Sequence, residues 1–352
     1  EAAPLRKPIE RVAVVGAGAW GTALGVVAQR AGRVVKLWAH EREVAASINE
    51  SHENPWFLPG IKLDPAIRAS EDLRAAVASA DAVIVVVPAQ HLRAVTRALA
   101  PHLPRAAPLV VATKGVELET GRLPTEVLAE TCPGVRVAVL SGPTFAIEVA
   151  QGLPSAVTLG ATDIELGRVL VSALGTKTFR PYLSDDPVGA QVGGAVKNVI
   201  AIACGIVEGR RLGDSARAAL MTRGLAEMIR LGVALGGRFE TMIGLSGLGD
   251  LALTCNSDRS RNMSLGIALG EGSSLGEALA GSRAVVEGVA GSQAVGDLAR
   301  RFEVEMPIVE AVDAILHRHA AIDATIAQLL ARPFTAEHRS GTADRASPEL
   351  PT

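Results

Sequence analysis

The chain has 352 residues, 48% of them hydrophobic, with a formal net charge of -2 and three cysteines. That length and apolar content suit two domains with their own cores, and the near-neutral charge excludes the general basic field that nucleic acid or an acidic membrane surface would require. Cys132, Cys204 and Cys255 lie far apart with no CxxC pair, which argues against a zinc scaffold or a secreted disulfide core and fits a reducing cytoplasm.

Glu1 to Arg11 is polar, carries two prolines and lacks an apolar run, so it is expected to be a frayed terminus and not a secretory signal. Short β-branched runs then alternate with helical spacing. Strands are predicted at Val12 to Val15, Val34 to Trp38, Ala82 to Val87, Leu109 to Ala112, Val137 to Leu140 and Ala156 to Leu159, with helices at Gly21 to Ala31 and Gln90 to Leu99. The alternation predicts an α/β, Rossmann-like, mainly parallel sheet domain over residues 10–187. Beyond Asp186 the β-branched runs stop, and helical patterns at Ala216 to Leu235, Gly288 to Arg301 and Pro307 to His317 predict a mainly α-helical C-terminal domain over residues 188–334. Residues 335–352 are polar with two prolines and are expected to be a disordered tail. Most apolar runs are strand-sized, so no integral membrane segment is expected, the longest exception being the run around Lys197.

The first strand leads directly into Gly16-Ala-Gly18-Ala-Trp-Gly21, which opens a helix. In that setting Gly16 permits the tight turn, Gly18 lets backbone approach a pyrophosphate and Gly21 lets helix and strand pack closely, a dinucleotide fingerprint. The second strand should end near Trp38-Ala39-His40, where NAD-selective folds place an acid on the ribose 2′-hydroxyl. No acid stands there before Glu41, and His40 and Arg42 are suited to a 2′-phosphate, so the expected cofactor is NADP or NAD.

From Pro187 to Val207 the one charged side chain is Lys197. In a core helix it would be desolvated, which lowers an ammonium pKa toward acid–base use; a snorkelling lysine or a structural ion pair stays open as an alternative. Asp250 follows a glycine-rich bend, where it can pair with Lys197, hold a substrate hydroxyl or simply cap a helix. Asp258-Arg-Ser-Arg-Asn262 gathers guanidinium, hydroxyl, amide and helix-start N–H groups, either a phosphate or carboxylate receptor or a solvated charged turn. None of the seven histidines falls in these stretches, and no metal-ligand spacing appears, so no metal is expected.

These stretches, taken with NPWFLPGI (Asn54 to Ile61), ATKG (Ala112 to Gly115), SGPTFAIEVA (Ser141 to Ala150), AVKNVIAIACGI (Ala195 to Ile206), GLGDLALTC (Gly247 to Cys255), SRN (Ser260 to Asn262) and VVEGV (Val285 to Val289), give the chain a family resemblance. From Arg11 to Pro333 it resembles the bacterial-type NAD(P)-dependent glycerol-3-phosphate dehydrogenases.

The resemblance implies that Lys197 is the acid–base residue, that Lys114 stabilises charge on oxygen near cofactor and substrate, and that Asp250 and Asn198 orient the lysine or the substrate. It implies that Arg261 and Asn262 grip the substrate phosphate, with Gly142, Thr144 and Ser260 lining the pocket. Cofactor contacts are implied at Gly16, Gly18, Ala19, Trp20, Gly21, His40, Phe57, Lys114, Ala146, Arg261, Val285 and Glu287. Ala19 and Phe57 depart from the hydroxyl-bearing residues common in the family, and a packing role for Trp20 stays open. The resemblance further implies a cytoplasmic homodimer that converts sn-glycerol 3-phosphate and dihydroxyacetone phosphate and supplies phospholipid synthesis. Two alternatives stand beside it: a hydroxy-acid reductase of the same build, and a nucleotide-binding sensor without turnover.

Overall fold

The computed structural model describes residues 8–280 and 284–333, so the expected tail and most of the expected frayed terminus lie outside the described residues. Among the described residues ten strands form: β1 (Arg11–Val15), β2 (Val34–Trp38), β3 (Glu53–Asn54), β4 (Leu58–Lys62), β5 (Arg68–Ser70), β6 (Ala82–Val85), β7 (Leu109–Val111), β8 (Val137–Ser141), β9 (Ser155–Gly160) and β10 (Phe179–Ser184). Eight of them make one sheet in the order β10-β9-β8-β7-β6-β1-β2-β5, and β3 and β4 form a separate antiparallel ribbon. All pairings in the large sheet are parallel except β8 with β9. Successive residues of β1 point to opposite faces, and both faces are buried: Val12 and Val14 enter one core, Ala13 and Val15 the other. Burial on both faces is why the strands read as continuous apolar runs.

From β1 the chain winds to β2 and β5 on one side, then returns to β6 and winds through β7 to the other edge. This reversal opens a crevice at the carboxyl ends of β1 and β6, where doubly wound folds bind ligands.

The helical part is built on one helix, Pro187–Gly209, buried continuously from Gly189 to Val207. It is long and apolar enough to cross a bilayer, yet its apolar stretch is buried inside the protein. Asp186 caps it, its Oδ1 accepting from Gly189 N–H at 2.8 Å and its Oδ2 from Arg238 N–H at 2.8 Å. Glycines let a second helix, Arg261–Glu271, approach backbone to backbone: a Cβ on Gly205 would lie 2.8 Å from Gly266 Cα, and one on Gly209 2.9 Å from Gly270 Cα. That contact brings the start of the second helix alongside the turn carrying Lys197.

Several expectations need adjustment. The strand predicted to Val87 stops at Val85, because the carbonyl of Val86 turns against Gly16. The helix predicted at Gln90 opens as a 3-10 turn, Ala89–His91, behind Pro88, and becomes α-helical at Leu92–Leu99. The strands β3, β4, β5 and β10 were not expected.

Candidate active site

The crevice begins at the glycine turn. Gly16 has φ +118, and a Cβ there would lie 2.3 Å from the Val86 carbonyl oxygen; one on Gly21 would lie 1.7 Å from the Gly16 oxygen. Both positions therefore demand glycine. A Cβ on Gly18 would meet nothing within 4 Å, so the backbone there is open to close approach by a ligand. Gly18 is the N-cap of Ala19–Arg30 and supplies no side-chain cap, leaving helix-start N–H groups for an anion such as a pyrophosphate. These features fit a dinucleotide.

The β3–β4 ribbon is fastened to this turn. Asn54 Nδ2 donates to the Ala17 carbonyl at 2.8 Å and to Thr22 Oγ1 at 2.9 Å, and its Oδ1 accepts from Phe57 N–H at 3.3 Å. Ala19, Trp20, Phe57 and Ala146 all pack against the same sheet core. Trp20 Nε1 is buried with no hydrogen-bond partner among the described residues, a donor a bound group could satisfy. At the end of β2, His40 is exposed and meets Trp38 edge-on with ring centroids 6.0 Å apart. Arg42 is exposed at the start of Arg42–Glu50, beside the same strand end.

Three elements meet at the chemical centre. Asp250, fully buried, begins the helix Asp250–Cys255 after a π-helical turn, Leu245–Gly249. Its Oδ1 accepts from Lys197 Nζ at 2.5 Å and its Oδ2 from Lys114 Nζ at 2.7 Å. Lys197 also donates to Thr254 Oγ1 at 3.0 Å, and that hydroxyl donates to the Asp250 carbonyl at 2.6 Å. Lys114 follows β7 and donates to the Gly142 carbonyl, just beyond β8, at 3.1 Å. A Cβ on Gly194 would lie 3.3 Å from Lys114 Cγ, so glycine lets the lysine stem lie across the central helix.

Burial lowers Lys197 from 10.5 to about 8; the Asp250 carboxylate opposes this shift and the Lys114 charge reinforces it. An ammonium near 8 can give and take a proton near neutral pH, which a surface lysine cannot do efficiently.

A second cluster adjoins the first. Ser260 caps Arg261–Glu271, its Oγ accepting from Met263 N–H at 3.2 Å. Asn262 Nδ2 donates to Asn198 Oδ1 at 3.0 Å, and Asn262 Oδ1 accepts from Gly288 N–H at 2.9 Å. Asn198 Nδ2 donates to the Gly194 carbonyl at 3.3 Å. Arg261 Nη1 donates to the Val285 carbonyl at 2.6 Å, and its charge opposes the burial that raises Glu287 to about 7. The Ala89 N–H opposes that rise as well, and a Cβ on Gly115 would lie 3.6 Å from Glu287 Oε2, so this carboxyl reaches from the helical part to the sheet part. Thr144 Oγ1 stands 3.4 Å from the Gly142 carbonyl.

Hydrogen bonds thus join Lys114, Lys197, Asp250 and Gly142 in one network, and Asn198, the residue after Lys197, ties the Ser260–Asn262 turn to the same helix. Sequence reasoning missed Thr254, although it lies one helical turn after Asp250 within the quoted motif, and Asn54, whose role shows only when the ribbon meets the glycine turn. No three His, Cys, Asp or Glu side chains among the described residues converge as a metal cluster.

A sheet crevice shaped for a dinucleotide, with a buried lysine of lowered pKa beside it, defines a two-part Rossmann dehydrogenase. The particular family follows from comparison with known proteins: residues 11–167 match the family model for the NAD-dependent glycerol-3-phosphate dehydrogenase N-terminus and residues 186–327 the model for its C-terminus, and the chain belongs to that family. It is 58% identical to a glycerol-3-phosphate dehydrogenase [NAD(P)+] of Parvibaculum lavamentivorans, covering 93% of this chain and 98% of the relative. To the protein of that name from Caulobacter vibrioides it is 57% identical, over 93% of this chain and 99% of the other. Among solved structures, glycerol-3-phosphate dehydrogenase from Coxiella burnetii is 38% identical with a TM-score of 0.89, covering 94% of this chain and all of the other.

Proposed function

We propose that the chain interconverts sn-glycerol 3-phosphate and dihydroxyacetone phosphate with a nicotinamide cofactor, Lys197 moving the proton at the C2 oxygen. The observation that carries this reading is the buried Lys197–Asp250–Lys114 cluster, two ammonium groups on one carboxylate. The dinucleotide, when bound, supplies the hydride carrier. Gly16, Gly18 and Gly21 form the turn that would receive its pyrophosphate, with Ala19, Trp20, Phe57, Ala146, Val285 and Glu287 around it.

Lys114 has a third N–H beyond those given to Gly142 and Asp250, and aimed at the C2 oxygen it stabilises negative charge there. Asp250 keeps both ammonium groups in place. Lys197 gives its proton to that oxygen during reduction and takes one back during oxidation. Arg261 and the N–H groups at the start of Arg261–Glu271 hold the phosphate, with Asn262 and Asn198 fixing the turn. Gly142, Thr144 and Ser260 line the pocket.

His40 and Arg42 beside the acid-free end of β2 favour NADPH over NADH. Further parts of the proposal are the division into residues 10–187 and 188–334, a homodimer in the cytoplasm, and a role in phospholipid synthesis. The test is loss of reduced-nicotinamide absorbance on adding dihydroxyacetone phosphate, with NADH and NADPH compared. Dihydroxyacetone phosphate should be reduced far better than unphosphorylated dihydroxyacetone; comparable kcat/KM for the two refutes the phosphate assignment.

A further inference from the structure

We infer that Arg259 is a second phosphate-binding guanidinium, stored on Glu148 and transferred to the substrate when the phosphate enters the cleft. The inference rests on the function proposed above and adds a residue to its substrate site. Arg259 immediately precedes the cap Ser260 and lies two residues before Arg261, at the mouth of the phosphate turn. Its side chain reaches from the helical part to the sheet part: Nη1 donates to Glu148 Oε1 at 2.7 Å, and Glu148 sits in the first turn of Ala146–Gln151, just past Gly142 and Thr144. The ion pair therefore joins the segment that leads into the proposed phosphate turn to the helix that follows Gly142 and Thr144.

Charge counting shows why a second guanidinium is needed. Lys114 and Lys197 share Asp250, which leaves one net positive charge among the three. Arg261 faces Glu287 and gives one N–H to Val285. Asn262 has given one amide N–H to Asn198, and its oxygen is occupied by Gly288. A phosphate dianion in this cleft is thus under-compensated unless another cation joins.

Arg259 is free to join. Its side chain is 59% exposed and that of Glu148 34%, and an ion pair this wet is weak, so it yields readily to a doubly charged phosphate that a planar guanidinium grips through two parallel bonds. The exchange would also release Glu148, so an empty cleft keeps its mouth bridged and a loaded one does not.

The test compares Arg259→Ala and Glu148→Gln in the full-length enzyme, reading KM for dihydroxyacetone phosphate, KM for NADPH and kcat. Removing the guanidinium should raise KM for the triose phosphate about tenfold, and removing its competitor should lower that KM severalfold, with KM for NADPH unchanged in both. Arg259→Lys should recover part of the loss. A strut that merely joins the two sides gives changes of the same sign in both variants; that result overturns the inference, as does an unchanged KM in either. Wild-type discrimination against unphosphorylated dihydroxyacetone reports on the underlying function separately, so failure of one is distinguishable from failure of the other.

Discussion

Lys114 and Lys197 arrive from different parts of the fold and end on the two oxygens of a single buried carboxylate. Asp250 is what allows two ammonium groups, one buried and one part-buried, to stand side by side. In Asp250→Asn they face each other without a counter-charge, and Lys197, already lowered to about 8, should fall further. Glycerol 3-phosphate oxidation by this variant should drop about a hundredfold or more, with the rising limb of its pH–rate profile displaced by a unit or more toward acid. A pH–rate profile of unchanged shape and position would show that Asp250 does not govern the lysine's proton.

The wild-type pH dependence carries a sign. Oxidation needs Lys197 as the free amine, present above about 8, so its kcat should rise as pH passes through that value. Reduction needs the ammonium and should fall through the same region. Lys197→Met should abolish both limbs while leaving NADPH binding intact by fluorescence titration. Retention of turnover near the wild-type rate by that variant would assign the proton to another group.

Much of this was legible in the sequence because the parts that carry it are local. The glycine turn sits between a strand and a helix that each announce themselves, and Lys197 stands out because nothing else in its helix up to Val207 is charged. Its meeting with Lys114 was not legible: Lys114 and Asp250 are 136 residues apart, and only the fold closes that distance. β10 escaped because Arg180 and Pro181 interrupt an exposed edge strand, and β5 because three residues make no periodic signal. The glycine contacts of Gly205 with Gly266 and of Gly209 with Gly270 were hidden likewise, since a glycine in a helix does not say which backbone it admits.

Glu227 gives a stability test away from the chemistry. It is buried and accepts from Ile308 N–H at 2.8 Å and Val309 N–H at 3.2 Å, fastening the start of Pro307–His317 to Asp214–Ala234. Burial nonetheless outweighs those bonds and raises its carboxyl from 4.5 to about 7. A raised folded-state pKa contributes stability that is fully present below the unfolded value and lost as pH climbs through the folded one. Between pH of about 4.5 and 7 the wild type should therefore lose on the order of 3 kcal/mol relative to Glu227→Gln, which does not titrate. Urea unfolding of both proteins across that range measures it, and parallel curves would show that the two backbone bonds hold the carboxylate charged.

Asp186 joins stability to the site, because the helix it caps is the one that carries Lys197. Its two oxygens serve different segments, one the N–H of Gly189 within the cap and the other the N–H of Arg238. Asp186→Ala removes the helix cap and also leaves the Arg238 N–H without its acceptor. A lost cap costs about 1 kcal/mol and a part-buried hydrogen bond about 0.5–1.5 kcal/mol, so roughly 1.5–2.5 kcal/mol is expected from urea unfolding. Asp186→Asn keeps one acceptor oxygen and should lie between the two. Because Lys197 sits three helical turns further on and is held by Asp250 and Thr254, kcat in the folded fraction should change little. A large kcat loss at full stability would mean that the cap sets the position of the lysine as well as the start of its helix.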